Sequence, residues 1–254
     1  MKTWGIIGGS GLDFWEEIDW IDEISVSTPY GEPSAPLRVG SVAEKGGVCY
    51  RLIYLPRHGV DHAYAPHRIN YRANLWAMKR AGVKAVLATA TVGAIAPDMA
   101  PGSICLPDQL IDYTWGREQS FSEEGKVLHI DFTKPFDTLL RRTLERAAKA
   151  VLDPGDLHIN GVYGCTQGPR LETAAEIARL AKDGCTLVGM TAMPEAALAR
   201  ELALPYALLC LTVNPAAGLG ESAAAIDHQA LQQVMAKGMR AVKAVLLKTM
   251  IEGA

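Results

Sequence analysis

The stretch Gly161–Glu195, GVYGCTQGPRLETAAEIARLAKDGCTLVGMTAMPE, constrains the fold more than any other part of the chain. It alternates short apolar runs, typical of strands, with Gly/Pro loops and a helix-like segment. Glu172, Met190, Thr191 and Glu195 stand at the ends of those runs. In an open α/β sheet, polar groups just past strand ends are where ligands bind. The stretch therefore predicts a binding site and not merely part of a core.

Length and composition favour one enzyme domain that acts on a small ligand. The 254 residues, 49% of them hydrophobic, can fill one large core, so we expect a single domain over residues 1–254. The net charge of −3 argues against nucleic-acid or membrane-surface partners, which require a basic patch. The start, MKTWGIIGGSG, lacks the apolar segment of a signal peptide, and no apolar run is long enough to cross a bilayer. We therefore expect a cytoplasmic enzyme.

Cysteine spacing gives no sign of a disulfide framework or a zinc site. The five cysteines lack CxxC spacing, and most lie in apolar strand-like runs, where a thiol packs as a small hydrophobe.

Two short motifs are suited to binding an anion. The strand-like run Thr3–Ile7 ends in a glycine loop containing Ser10, whose backbone amides and hydroxyl can approach a phosphate. The loop does not match the G-x-G-x-x-G dinucleotide fingerprint, and a tight turn is the alternative explanation. The run Val48–Leu55 closes on Arg57 and His58, where the guanidinium supplies a fork of charged donors.

The histidines near this second motif also have to be considered as metal ligands. His58, Asp61, His62 and His67 are ligand types that bind metals. However, the intervening glycine and proline deny His58 and His62 a shared helix face, so we expect no metal.

The rest of the chain predicts alternating helices and strands. Thr89–Ala94 looks like a small-residue ligand loop after the strand Val83–Ala90, and Trp115–Lys126 looks like a flexible surface loop. The apolar strand Tyr206–Val213 ends at Asn214. Other predicted strands are 23–27, 37–40, 102–110, 158–165 and 187–190, and the predicted helices are 70–81, 136–152, 174–182, 194–202 and 227–250.

Taken together, GIIGGSGL, LPRHG, NYRANLWAMK, QGPRLET, GMTAMPE and the strand ending at Asn214 resemble the trimeric nucleoside phosphorylases, above all the methylthioadenosine phosphorylase branch. The similarity runs from about Thr3 to Met250. It implies one α/β domain with a central mixed sheet flanked by helices, a homotrimer or a dimer of trimers, and cleavage of purine nucleosides by inorganic phosphate without metal or organic cofactor.

The resemblance also implies roles for individual residues. Phosphate contacts fall on Ser10, Arg57, His58, Ala90, Thr91 and Thr191, with Ala90 and Thr91 also in the ribose loop. Met190 packs on the sugar, and His129 corresponds to a histidine that reaches a neighbouring subunit's site. Base contacts fall on Leu171, Glu172, Asn214, Pro215 and Ala216.

Two departures from the adenine-specific branch bear on the substrate. That branch has aspartates where this chain reads Asn214-Pro215-Ala216, and serine where this chain has Glu172. An Asn amide can donate to O6 of a 6-oxopurine and accept from protonated N7, while a Glu carboxylate accepts from N1–H. In adenine, N1 carries a lone pair and no hydrogen, so the Glu carboxylate would face another acceptor. A buried polar group left unpaired in this way costs about 1–3 kcal/mol. We therefore expect Asn214 and His58 to act in catalysis on a 6-oxopurine nucleoside.

The 5′ end of the ribose is set by one position near the last helix, for which two alignments are open. Ile226 there would favour a methylthio group, and His228 would favour a hydroxyl. The closer overall match to the methylthio branch favours Ile226, which predicts phosphorolysis of S-methyl-5′-thioinosine. The alternatives are an inosine/guanosine phosphorylase, a methylthioadenosine phosphorylase, and a nucleotide-binding module without catalysis.

Overall fold

The computed structural model describes residues 3–12, 15–43 and 49–253. The strands are β1 Thr3–Gly8, β2 Asp19–Ile24, β3 Leu37–Ala43, β4 Cys49–Pro56, β5 Ala85–Ala94, β6 Ile104–Cys105, β7 Gln109–Asp112, β8 Leu157–His158, β9 Val162–Cys165, β10 Leu187–Gly189 and β11 Tyr206–Pro215. The helices are α1 Tyr71–Arg80, α2 Thr138–Val151, α3 Ala174–Lys182, α4 Ala192–Glu201 and α5 His228–Glu252.

The strands form one mixed sheet with β5 near its centre. β5 runs parallel to β1 and β11 and antiparallel to β10. β2, β3 and β4 form an antiparallel meander beyond β1. The predicted α/β fold with a central mixed sheet flanked by helices is confirmed.

The side chains of the central strands contribute to two hydrophobic cores, one on each face of the sheet, because successive residues of a strand point to opposite faces. Ile53 and Leu55 belong to a cluster that includes residues of α1 and α4. Leu52 and Tyr54 belong to another, which includes residues of α2 and α5. The sheet is therefore covered by helices on both faces.

The prediction that Thr89–Ala94 is a loop was wrong, since these residues continue β5. On one edge, β1 pairs with β5 up to Ala88, and β10 takes over that edge only from Gly93. In the described strand pairs, residues 89–92 therefore pair on the other edge alone, with β11. Because the pairing of β1 ends at Ala88 and that of β10 begins at Gly93, a gap separates β1 from β10 on that edge of β5.

Other strand predictions needed correction. The second strand covers Asp19–Ile24 instead of 23–27, and its mostly exposed, acidic sequence concealed it. The predicted strand 102–110 is two short strands on either side of Pro107, which cannot donate to a ladder. Residues 158–165 likewise contain the end of β8 and all of β9. Val48, the predicted start of the fourth strand, lies outside the described residues.

Helix ends agree closely with the sequence signals. Thr173 caps α3 in a full capping box with Glu176, as a Thr before an amphipathic run predicts. Gly82 follows α1 with φ of 86°, a conformation that costs glycine little. α4 begins at Ala192, but Met193 has non-helical angles, so its regular turns start at Pro194, as expected of a proline in a first turn.

Across the part of the chain that the structure describes, no helix is long and apolar enough to cross a membrane. The same residues contain no group of three or more His, Cys, Asp or Glu side chains that could hold a metal ion. Cys105, Cys165, Cys185 and Cys210 are buried free thiols.

Candidate active site

The carboxyl ends of β1 and β4 are tied to each other and to the middle of β5, next to the gap in the sheet. The amide of Gly9 donates to Thr89 Oγ1 at 3.1 Å, and the amide of Arg57 donates to the carbonyl of Gly8 at 2.9 Å. A Cβ on Gly9 would lie 3.1 Å from the Thr89 carbonyl oxygen and 3.2 Å from Arg57 Nη1, so this close approach favours glycine. The glycine loop is therefore packed directly against Arg57 and β5.

Arg57 is fixed by a buried carboxylate. Its Nε and Nη2 each donate to one oxygen of Glu195 at 2.7 Å, and Nη1 donates to the Thr89 carbonyl at 2.8 Å. Burial lowers the pKa of Arg57, but the charge and hydrogen bonds of Glu195 raise it above its ordinary value. Tyr206 donates its hydroxyl to Glu195 at 2.8 Å. The guanidinium is a permanent, oriented cation.

His58 is held in its neutral form. Burial, the largest effect, lowers its pKa to about 4, and the neighbouring charges of Arg57 and His62 act in the same direction. Nδ1 lies 2.8 Å from the Tyr64 carbonyl oxygen, which requires the proton to be on Nδ1. Nε2 then carries a lone pair, so the imidazole accepts a hydrogen bond from a ligand, for example the P–OH of a phosphate.

His62 stacks on His58 with ring centroids 4.0 Å apart. Asp61 and His62 both have left-handed backbone angles, φ 52° and 58°, which non-glycine residues adopt infrequently. Sequence reasoning had given His62 no role. The structure places its ring in the wall of the cavity described next.

A cavity of about 520 Å³ collects most of the predicted site residues. Its wall includes the phosphate candidates Ser10, Arg57, His58, Ala90, Thr91 and Thr191, and the substrate candidates Leu171, Glu172, Met190, Asn214, Ala216 and Ile226. Thr191 caps no amide of α4, so its hydroxyl is not used by the helix end. One space therefore brings together cationic, hydroxyl, carboxylate and amide groups.

Two predicted site residues do not line this cavity. Pro215 lies in β11 opposite Ala94 and contributes through its carbonyl oxygen, which accepts from Asn214 Nδ2 at 2.6 Å. His129 is exposed and stands outside the cavity wall. Its predicted reach into a neighbouring subunit's site stays a prediction.

Of the two polar base candidates, Asn214 stands at the end of β11, and Glu172 stands directly before Thr173, the N-cap of α3. Asn214 follows a register shift in β11, where Thr212 pairs with Val92 but Asn214 with Gly93. One N–H of its amide is used by Pro215, which leaves the other N–H and Oδ1 for a ligand. Glu172 is half-buried and accepts from Thr166 Oγ1 at 2.5 Å. Together they offer a donor and two acceptors.

The start of α5 places Ile226 and His228, the two candidates for contact with the 5′ end of the ribose, in different positions. Asp227 is the N-cap of α5 and accepts from the amides of Gln229 and Ala230 at 2.9 and 3.1 Å. Ile226 and Leu231 therefore occupy the two positions of a hydrophobic staple, and both line the cavity. His228 is exposed and is absent from the wall.

The predicted flexible loop 115–126 is anchored by a buried arginine, so that prediction was wrong in part. Arg117 donates to the carbonyl oxygens of Met190 at 2.9 Å, Met193 at 2.6 Å and Gln167 at 2.8 Å. It also donates to the carbonyl of Thr166 at 3.2 Å. One side chain thus joins the segment after β9 to the segment after β10, and both segments supply cavity residues.

The chain was compared with protein families, curated proteins and solved structures. The model of the Phosphorylase superfamily matches residues 3–252. A probable S-methyl-5′-thioinosine phosphorylase from Pseudomonas syringae pv. tomato is 46% identical over 98% of this chain and 99% of its own length. The S-methyl-5′-thioadenosine phosphorylase of Mycolicibacterium smegmatis is 42% identical over 88% of this chain and 82% of its own.

Among solved structures, methylthioadenosine phosphorylase from Schistosoma mansoni in complex with adenine is similar. It superposes with a TM-score of 0.88 at 31% identity, covering 99% of this chain and 91% of that one.

Proposed function

This chain belongs to the Phosphorylase superfamily, and on that basis we propose that it cleaves S-methyl-5′-thioinosine with inorganic phosphate, giving hypoxanthine and 5-methylthioribose 1-phosphate. It is an enzyme of the nucleoside phosphorylase type, a pentosyltransferase. The observation that carries the choice of substrate is the joint presence of Glu172, Asn214 and Ile226 in the wall of one cavity.

Phosphate binding falls to the groups around the gap in the sheet. Arg57, fixed by Glu195, supplies an oriented charge, and neutral His58 accepts the hydrogen of a P–OH group through Nε2. Ser10, Thr91 and Thr191 add hydroxyl donors. Phosphate would attack C1′ as the bond to the purine nitrogen breaks, so holding the anion against the developing sugar cation is mainly positioning and electrostatics.

The departing purine gains electrons and must be neutralised. The free N–H of Asn214 donates to O6, and its Oδ1 accepts from N7 once N7 has gained a proton. Glu172 accepts from N1–H through the oxygen that Thr166 does not use. An adenine ring would present its N1 lone pair to the carboxylate, and such an unpaired contact costs about 1–3 kcal/mol.

The 5′ substituent is assigned from Ile226 and Leu231. An apolar methylthio group gains free energy on leaving water for such a wall, roughly 25 cal/mol for each Å² that is buried. His228 stands outside this cavity but lines an adjoining one together with Ile226 and Glu172, so its substitution is the control for the apolar assignment. These positions favour methylthioinosine over inosine.

The deciding experiment measures purine release from methylthioinosine, inosine and methylthioadenosine side by side, with and without phosphate. We expect strictly phosphate-dependent cleavage and the highest kcat/KM for methylthioinosine. Preference for inosine would refute the apolar 5′ assignment, and preference for methylthioadenosine would refute the base assignment. In addition, Asn214→Asp should slow hypoxanthine release strongly, and an unchanged rate would remove Asn214 from the mechanism.

The assembly is what the resemblance implies, and both the assembly and the location stay proposals. We place the enzyme in the cytoplasm as a homotrimer or a dimer of trimers, with phosphate as co-substrate and neither metal nor organic cofactor. His129 is exposed and away from its own cavity, as contact with a neighbouring subunit's site would require. Sedimentation at several concentrations tests the assembly, and loss of activity in His129→Ala with an intact trimer would support the shared site.

A further inference from the structure

Glu172 stands in the wall between two cavities. On one side is the substrate cavity, and on the other is a second space of about 420 Å³ lined by residues that include Tyr113, Trp115 and Thr166. Thr166 belongs only to the second space. Its hydroxyl therefore reaches the carboxylate from behind, away from the substrate.

The hydroxyl of Thr166 has one hydrogen and two acceptors within reach. Glu172 Oε1 lies at 2.5 Å, and the carbonyl oxygen of Gly189 lies at 3.3 Å. The shorter contact is the better hydrogen bond, so the hydroxyl donates to the carboxylate. The Thr166 backbone is fixed on both sides, because its N–H donates to Gly189 at 2.8 Å and its carbonyl accepts from Arg117 at 3.2 Å. The donor is therefore held in place before the substrate arrives.

We infer that Thr166 is a positioning residue that makes the site selective for 6-oxopurines over 6-aminopurines. A donor aimed at one carboxylate oxygen fixes the orientation of the carboxyl group and leaves the other oxygen to accept from N1–H. Binding adenine with a matched hydrogen bond would require a proton on Glu172, to be donated to N1. Removing the hydroxyl therefore weakens binding of the 6-oxopurine more than that of the 6-aminopurine. This inference rests on the proposed base contacts.

The test compares kcat/KM for methylthioinosine and methylthioadenosine at saturating phosphate in the wild type and in Thr166→Val, which keeps the side-chain shape. We expect the ratio of the two values to fall about tenfold, mostly through a higher KM for methylthioinosine, with the KM for phosphate unchanged. Thr166→Ser restores a hydroxyl and should keep the ratio within about threefold of wild type. If Thr166→Val does not fold, as judged by circular dichroism, Thr166→Ala takes its place.

A double-mutant cycle separates this role from packing. In a Glu172→Met background, which leaves no side-chain oxygen to accept from Thr166, Thr166→Val should leave the ratio unchanged. An unchanged ratio in Thr166→Val alone, or an equal loss in Thr166→Ser, would overturn the inference. Failure of the proposed function shows separately, in the wild type, as a preference for a different nucleoside.

Discussion

Replacing Glu195 by glutamine tests how the phosphate site is built. The substitution keeps the size of the side chain but removes the charge opposite Arg57, and both side chains are at most 1% exposed. Breaking a buried ion pair by removing one partner costs about 3–5 kcal/mol, and the retained amide oxygen places the loss near 3 kcal/mol. For a domain of this size that corresponds to a fall in Tm of roughly 6–12 °C.

The kinetic consequence depends on which of two effects dominates. Loss of the carboxylate leaves Arg57 with more uncompensated charge, which would strengthen the attraction for phosphate. However, the pair of 2.7 Å hydrogen bonds from Nε and Nη2 that orients the Arg57 guanidinium is lost, because the glutamine NH₂ group faces one of the arginine N–H groups. A charge-assisted hydrogen bond contributes about 1.5–3 kcal/mol, so misplacing the fork should raise the KM for phosphate at least about tenfold.

Phosphate titration at saturating nucleoside, together with thermal melting, measures both effects. Tyr206→Phe is the matched control, because it removes only the 2.8 Å bond to Glu195 and leaves the ion pair in place. We expect its phosphate KM to change by less than about threefold. A Glu195→Gln enzyme with wild-type Tm and phosphate KM would refute the positioning role, and a lower KM would show that the added charge dominates.

Three further outcomes follow from the same geometry. Burial lowers the pKa of His58 to about 4, so unfolding takes up a proton between pH 6.5 and 4. The free energy of unfolding of the wild type should therefore fall by up to about 3 kcal/mol relative to that of His58→Asn as the pH drops through that window. Equal slopes of unfolding free energy against pH would contradict this. Arg117→Met should lower the Tm by several degrees through unpaired carbonyl oxygens, while the exposed Arg146→Met serves as a control and should stay within about 2 °C. Ile226→Ser should reduce the kcat/KM ratio of methylthioinosine to inosine about tenfold, whereas His228→Ala should leave it unchanged, and the reverse result would exchange their roles.

Local signals in the sequence were sufficient where the structure depends on near neighbours. The capping threonine at Thr173 and the glycine after α1 give helix ends that agree within a residue or two. Polar residues that follow strands, such as Arg57 and Asn214, line the cavity as expected. For the helix ends the controlling contacts lie within a few residues along the chain, and for the cavity residues the sequence needed to show only where each strand ends.

Long-range partners were beyond the reach of the sequence. Glu195 was noted at the end of an apolar run, but its partner Arg57 lies 138 positions away, and no local pattern pairs them. Arg117 sits in a polar segment that looks solvent-exposed, yet its acceptors are backbone carbonyls about 50 to 76 residues distant. The run Thr89–Ala94 was mistaken for a loop because its small residues suit either a loop or a crowded central strand.

The pairing of β5 with β11 also fixes the spacing between residues that line the cavity. Thr91 on β5 lies opposite Leu211, and Gly93, two residues further along, lies opposite Asn214. At about 3.3 Å per residue, the proposed phosphate contact Thr91 and the proposed base contact Asn214 are spaced about 7 Å apart along the strand. The register shift in β11 between Thr212 and Asn214 sets which residue lies opposite Gly93, so this spacing is built into the backbone pairing. The distance between the two proposed contacts is thus fixed when the protein folds, before either substrate arrives.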